Sequence, residues 1–398
     1  MPAETVPGTD MRWASAYSTL GDPAAAATEV ASGIAASLGP GSIDLVLAFY
    51  SPSLAAGAEA IANVLRAAFA PGTLAGVSAR GIVTRERELE QGHALSVLAG
   101  RMPGVQVKPF LVLRETWQDP VEDEAAFDLV APGVRGADIV FFAGDPFSLD
   151  VDRVLGLHDR FAPGVRVVGG LASAGTRPHG NKMFLNDWVS SEGGFEIALH
   201  GAVRADVIVS QGCAPVGPVL EVTAAQDNMI LTLDGQPALE RAEQVLRELP
   251  ESERSRLEHG LYVGRPARGD ASGQGDWLIR NLMGADRDRG ALAIGDRVAV
   301  REKVRLHVRD AATAAADLDL LLSPQAFDTR AVAALLFACN GRGRGLYGAP
   351  DRDITMLQGS LGGPVPAAGM FCAGEIGPVG ERNFVHGHTA SIAILRAR

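Results

Sequence analysis

Long apolar runs, a basic charge excess and an even set of cysteines are all missing from this chain, and each absence excludes something. No apolar stretch approaches the ~18 residues needed to cross a bilayer, so membrane insertion is not expected. The start, MPAETVPGTDMRW, has no charged segment followed by an apolar one, so no signal peptide is expected. Lys plus Arg number 36 against 47 Asp plus Glu, a formal charge of −11, which argues against nucleic acid or an anionic membrane as the main partner. The three cysteines, Cys213, Cys339 and Cys372, are odd in number and far apart, which suits a reducing, cytoplasmic setting. What is present is ordinary for a globular protein: 398 residues, 47% apolar and 21% charged, enough for two or three domains with full cores.

Taken in order, the chain reads as alternating strands and helices. Asp22-Pro23 is expected to open a helix as N-cap and first helical residue, with Val30, Ile34 and Leu38 on one face. Residues 44–50 (DLVLAFY) read as a buried strand, a helix bearing Ile61, Leu65 and Phe69 follows Ser51-Pro52, and residues 74–77 return into Gly76-Val-Ser-Ala-Arg-Gly81. The same succession recurs at residues 138–142, a helix capped by Asp145 or Ser148, and a return into Gly170–Gly175. It recurs a third time at residues 335–338, a helix with Ile354, Leu357 and Leu361, and a return into Gly369–Gly374. From strand start to returning glycine the three run 45 to 76, 139 to 169 and 335 to 369. With 47 glycines, G-x-x-x-x-G alone arises by chance about five times, so it is the recurrence after units of similar length that points to a shared supersecondary unit. Short alternating runs at 195–199, 205–209, 219–224, 277–280, 291–294 and 304–308 read as antiparallel strands. Helices are expected at 237–249 and 311–322, and a flexible loop at 265–274. The domain boundary is placed near Asp234–Pro237.

The motifs exclude as much as they propose. Gly343-Arg-Gly345-Leu-Tyr-Gly348 matches the dinucleotide fingerprint, but the acidic residue required about twenty positions on is missing. Ile82, Thr176 and Glu375 stand where a P-loop needs lysine. His386 and His388 would share one face of a strand and could join Glu375 or Cys372 at a metal, or simply decorate a polar strand, the preferred reading. Cys339 and Cys372 are candidate nucleophiles with arginines nearby, yet no histidine is placed as a base, and cysteines at buried strand ends are usually inert. Arg342 and Arg344 lie between glycines, where backbone can approach a ligand and a guanidinium fork can bind a carboxylate. Glu375 returns on the same unit and could face an ammonium group. A zwitterion site and an Arg–Glu ion pair closing the loop stand level on these residues.

Five stretches together resemble the FIST family: LLFACNGRG (Leu335–Gly343), GMFCAGEIGP (Gly369–Pro378), LIRNLMGAD (Leu278–Asp286), VSQGCAPVGP (Val209–Pro218) with the following VTAAQDNMILTLDG, and LAGVSARGIV (Leu74–Val83). The resemblance implies a FIST N-like domain over 12–235 and a FIST C-like domain over 236–393. It implies a sensory module in signal transduction that binds a small ligand such as an amino acid. Fused output domains, or the F-box of eukaryotic relatives, are not expected in this length, so output would pass to a separate protein. Ser78 departs from the cysteine common there in the family, which argues against a nucleophile.

The expected architecture is therefore α+β, two domains of mixed, partly antiparallel sheets covered by helices, with the glycine loops converging on an interdomain or strand-edge cleft. The expected ligand is a small polar metabolite, bound without a cofactor or a metal. Asn340, Arg342, Arg344, Glu375 and Cys372 are the leading binding residues, followed by Ser78, Arg80, Ser173, Arg280 and Asn281. The rival readings are a cysteine-dependent enzyme acting on an amide or thioester, and a protein-binding adaptor with no metabolite.

Overall fold

The computed structural model describes residues 11–118, 120–254, 256–257, 260–267, 277–328 and 330–398. The fold is α+β with mixed sheets, as expected, and divides into two compact units. The first takes the chain up to Ser210, Leu318–Val385 and Thr389–Arg398; the second takes Gln211–Asp317 and His386–His388. The boundary expected at 235/236 falls inside the second unit.

Among the described residues, the first unit contains three six-stranded sheets, each built around one parallel pair. The pairs are β1 (Leu45–Tyr50) with β2 (Thr73–Ser78), β3 (Ile139–Gly144) with β4 (Val167–Leu171), and β5 (Ala331–Cys339) with β6 (Ala367–Cys372). A helix bridges each: α1 (Ala58–Phe69), α2 (Val151–Phe161) and α3 (Arg352–Ser360). The three recurring segments of the sequence are these three units, and the register aligns them. Ala48 faces Gly76, Phe142 faces Gly169 and Leu336 faces Gly369, so the returning glycines occupy one equivalent place. The middle repeat is therefore aligned on Gly169, one residue before the Gly170–Gly175 spacing. The backbone needs that residue type at two of these places: a Cβ on Gly169 or Gly369 would lie 1.9 Å from the carbonyl oxygen opposite.

Alternation does the rest. Leu45, Leu47 and Phe49 point into a core shared by all three sheets, with Phe141, Ala143, Leu335, Phe337 and Met370. Val46, Ala48 and Tyr50 point outward onto helix Pro23–Leu38 and α1. Helix Pro23–Leu38 is capped as expected, Asp22 accepting from Ala25 N at 2.7 Å. α2 begins later than expected: Asp150 is its cap, because Asp145 is engaged by Asn181, Phe147 N and Ser148. At the centre of the shared core is an apolar void of only about 20 Å³, a packing defect too small and too dry for a metabolite.

The hairpin that follows each parallel pair does not stay with its own sheet. Ile82–Val83 with Glu88–Leu89 extends the third sheet beside β6. Met183–Leu185 with Trp188–Ser190 extends the first beside β2, and Glu375–Val379 with Arg382–His386 extends the second beside β4. The exchange is cyclic, and it brings the ends of β2, β4 and β6 together. Ser78 N donates to Lys182 O at 2.9 Å, Leu171 N to Gly374 O at 2.8 Å and Phe371 N to Gly81 O at 2.9 Å. Two residues further along each strand path, Ser173 N reaches Ser78 O at 3.4 Å and Ala373 N reaches Leu171 O at 3.0 Å. The third link runs through a side chain: Arg80 N donates to Ser173 Oγ (2.9 Å), which donates to Phe371 O (2.5 Å). The glycine loops thus meet in a ring of strand ends inside the first unit and do not line an open cleft.

The second unit is an antiparallel sheet closed on itself. Cys213–Gln226 pairs along one half with Lys303–Arg309 and along the other with Met229–Leu233, the change of partner following a bulge between Val216 and Val219. Helix Ala238–Glu248 packs on it through Ala242 and Val245. Arg265 and Pro266 end a strand, and residues 268–274 of the expected loop lie outside the described residues. Among the described residues no helix is long and apolar enough to cross a membrane.

Replacing Ser173 by Ala removes the one hydroxyl that serves two ring backbone groups. Each buried polar group left unmatched costs about 1–3 kcal/mol, so Ser173→Ala is expected to destabilise the protein by about 2 kcal/mol or more in denaturant unfolding. Stability within about 0.5 kcal/mol of wild type would contradict the ring's role.

Candidate functional site

The register sets Ser51, Asp145 and Cys339 at the same place, three residues past Ala48, Phe142 and Leu336 where β1, β3 and β5 run out. At two of these places the side chain itself is matched. Ser51 Oγ accepts from Ala94 N at 3.0 Å and contacts Ser53 Oγ at 3.0 Å. Asp145 Oδ1 accepts from Asn181 at 2.8 Å, and its Oδ2 accepts from Phe147 N at 3.1 Å and Ser148 Oγ at 2.8 Å. The third end differs: Asn340 Oδ1, Arg342 Nη1 and Glu375 Oε1 are buried with no hydrogen-bond partner among the described residues. Buried polar groups are almost always paired, so three orphans following one strand pair mark this end of the third sheet as the candidate site.

Its geometry follows from the strand ends. Cys339 and Cys372 are opposite one another in the parallel ladder. Asn340 N donates to Cys372 O at 3.0 Å, which carries the pairing one residue past the strand, and Arg342 N turns back to Cys339 O at 2.8 Å. Arg342 is only 1% exposed. Its Nε and Nη2 grip Asp353 Oδ2 and Oδ1 at 2.7 and 2.8 Å, and Nη2 also donates to Tyr347 OH at 2.6 Å. Tyr347 OH donates in turn to Asp353 at 2.9 Å. Burial works against the charged guanidinium, but Asp353 outweighs it and holds Arg342 charged.

Glu375, fully buried, opens the exchanged hairpin; its Oε2 accepts from Thr389 N at 3.1 Å and Thr389 Oγ1 at 2.9 Å. Burial raises its carboxyl to about 8, against the lowering effects of Thr389 and Arg342. The Cys372 thiol is pushed well up by burial, then by Glu375 and Cys339, so it is held protonated. A second carboxylate braces the loop: Glu88 caps α3 by accepting from Ile354 N and Asp351 N, both at 3.0 Å. Burial and then Asp353 raise Glu88 to about 7. Next to it, Glu90 accepts from Arg344 N at 2.9 Å. Gly343 fits there because its φ is +55° and a Cβ would meet Glu90 at 2.6 Å.

The expected residues therefore part company. Asn340, Arg342, Cys372 and Glu375 come together. Arg344 is exposed and its guanidinium has no ion-pair partner among the described residues, so it belongs to the rim. Ser78, Ser173 and the backbone N of Arg80 take part in the strand-end ring, while the Arg80 side chain is exposed. Arg280 and Asn281 belong to the second unit, Arg280 bound to Asp296 at 2.8 Å and Asn281 accepting from His388 Nε2 at 3.0 Å. The ion pair anticipated between arginine and Glu375 is made instead with Asp353. Asp353, Tyr347, Thr389 and Glu88 were not anticipated; a lone acid in a helical first turn and scattered polar residues carry no sequence signal of a shared site. No group of three or more His, Cys, Asp or Glu among the described residues is arranged to hold a metal.

The FIST N domain matches residues 44–236, and the FIST C domain matches residues 238–378. The chain belongs to the FIST family. Among this FIST protein's relatives, uncharacterized protein Rv0628c of Mycobacterium tuberculosis (strain ATCC 25618 / H37Rv) is 35% identical over 97% of this chain and 100% of its own length. Uncharacterized protein Mb0898c of Mycobacterium bovis is 36% identical over 88% of this chain and 92% of its own. A cyanuric acid hydrolase from A. caulinodans covers 98% of this FIST chain and 99% of its own at 10% identity and a TM-score of 0.35, a likeness too slight to bear on function.

Two outcomes test the electrostatics. Asp353→Asn leaves the buried Arg342 cation without its counter-charge and is expected to cost about 3–5 kcal/mol of stability; a loss under about 1 kcal/mol would contradict the pairing. Glu375 has its carboxyl raised from about 4.5 to about 8 on folding. Its contribution to stability is complete below about pH 4.5 and is lost as pH climbs towards and through 8, since the unfolded chain releases that proton first. The stability of wild type relative to Glu375→Gln should fall across that window, and a difference independent of pH would refute it.

Proposed function

We propose that this FIST protein is a small-ligand-binding sensory protein in intracellular signal transduction, and that its ligand is an amino acid or a similar small polar metabolite. FIST domains are sensory, signal-transduction domains, which supports the general role. The ligand class rests on one observation, the three unpartnered polar atoms at the end of the third sheet. Arg342 Nη1 offers a fixed charge-assisted donor to a carboxylate. Asn340 Oδ1 offers an acceptor to an ammonium or amide, and Glu375 Oε1 does so once its raised carboxyl gives up its proton. Arg342 is already oriented by Asp353 and Tyr347, so little ordering entropy remains to be lost on binding. Entry would be from the half-buried Asn340–Gly341 side of the loop. Binding there would pull on a loop braced by Glu88 and Glu90 from the exchanged hairpin, a route for output to a separate protein. The same geometry favours binding over cysteine catalysis, since the Cys372 thiol is held protonated by burial and by Glu375.

Thermal unfolding against a panel of amino acids and small organic acids tests this. A ligand at a hundred times its Kd adds about 2.7 kcal/mol, a shift of a few degrees. The hit should be lost or weakened at least tenfold in Asn340→Ala and Glu375→Gln. A hit of equal strength in both variants, or a flat panel, would sink the assignment.

A further inference from the structure

The second sheet has its own opening at the end of its parallel pair, distinct from the site in the third sheet. Two adjoining clefts of about 380 and 350 Å³ share Arg114, Phe147 and Ser148 as lining residues. They lie where β3 runs into α2, the position outside the carboxyl ends of parallel strands at which α/β sheets receive ligands. The floor is aromatic. Trp117, 4% exposed, lines the larger cleft, stacks on His158 (ring centroids 5.8 Å apart) and has an indole Nε1 with no hydrogen-bond partner among the described residues. Phe147, across the opening, is 44% exposed, a large apolar area for a surface loop. The charge is supplied by Arg114, which is exposed and has no ion-pair or hydrogen-bond partner among the described residues. The neighbouring acids are largely committed elsewhere: Asp150 caps α2 by accepting from Arg153 N at 3.1 Å, and Glu192 lies 3.6 Å from His179. Glu115, exposed, lines only the smaller cleft.

We infer that this opening is a second ligand site, for a small aromatic carboxylate whose ring lies against Phe147 and Trp117 and whose carboxylate meets Arg114. An unpaired guanidinium beside exposed aromatic surface suits an anion with a flat apolar body better than a sugar or an alkyl chain. The site is independent of the unmatched polar atoms at the end of the third sheet, so either can fail without the other.

Benzoate titrated into the full chain, followed by tryptophan fluorescence and calorimetry, tests it. Benzoate should bind saturably, while benzamide, which lacks the charge, and acetate, which lacks the ring, should bind at least tenfold more weakly. Arg114→Ala should weaken benzoate about tenfold or more, the loss of one charge-assisted hydrogen bond. Phe147→Ala should weaken it severalfold, and Glu375→Gln should leave it unchanged. Both replaced residues are exposed, and unfolding midpoints matched to wild type confirm intact variants. The inference is overturned if benzoate does not saturate, if benzamide binds equally, if Arg114→Ala binds like wild type, or if Glu375→Gln abolishes binding.

Discussion

The hydroxyl of Ser173 closes the ring of hydrogen bonds through which β2, β4 and β6 hold one another. Each of the three parallel pairs ends with a hairpin that leaves for the neighbouring sheet, so none is complete without strands donated by another. An exchanged strand contributes ladder hydrogen bonds and apolar burial only if the donor sheet is already in place. The three sheets therefore depend on one another, and the shared core of Leu47, Phe49, Phe141, Leu335 and Phe337 can form only when all three have closed around it. The returning glycines belong to the same constraint, because at Gly169 and Gly369 any side chain would collide with the backbone opposite.

Quasi-equivalence of the three strand ends makes their differences informative. Ser51 and Asp145 meet their polar needs within the protein. At Cys339 the corresponding end carries a charged arginine, an amide and a carboxyl that do not. Arg342 is tolerated in the interior because Asp353 and Tyr347 compensate its desolvation, whereas Glu375 has only Thr389 and a more distant cation, so its proton is held more tightly than an ordinary carboxyl's. The third end has thus concentrated unmet polarity, three buried atoms following one strand pair, at a cost in stability. Such local inconsistencies mark functional places in otherwise well-matched proteins.

Much of this was legible in the sequence for plain physical reasons. The continuous apolar run over residues 45–50, the Asp22-Pro23 cap and the 3.6-residue spacing of Ile354, Leu357 and Leu361 are local signals, and local signals survive in the chain. The spans from 45 to 76, 139 to 169 and 335 to 369 marked the repeats because a strand, a helix and a return must occupy a similar length. The cluster of Asn340, Arg342, Cys372 and Glu375 was legible because all four lie on one such unit.

The sequence by itself determined the family, the three strand–helix–strand units and the polar character of the last strand end, since each rests on neighbours in the chain. Only the tertiary structure decided which unit each hairpin completes, that Arg342 answers to Asp353 and not to Glu375, and that Ser78, Ser173 and the backbone of Arg80 join a ring of strand ends. Those outcomes depend on contacts between segments nearly a hundred residues apart or more, as in Arg80 with Ser173 and Ser173 with Phe371, or on the burial of a charge. Pairing over such distances is set by which surfaces close the common core, and no local pattern of residues records it.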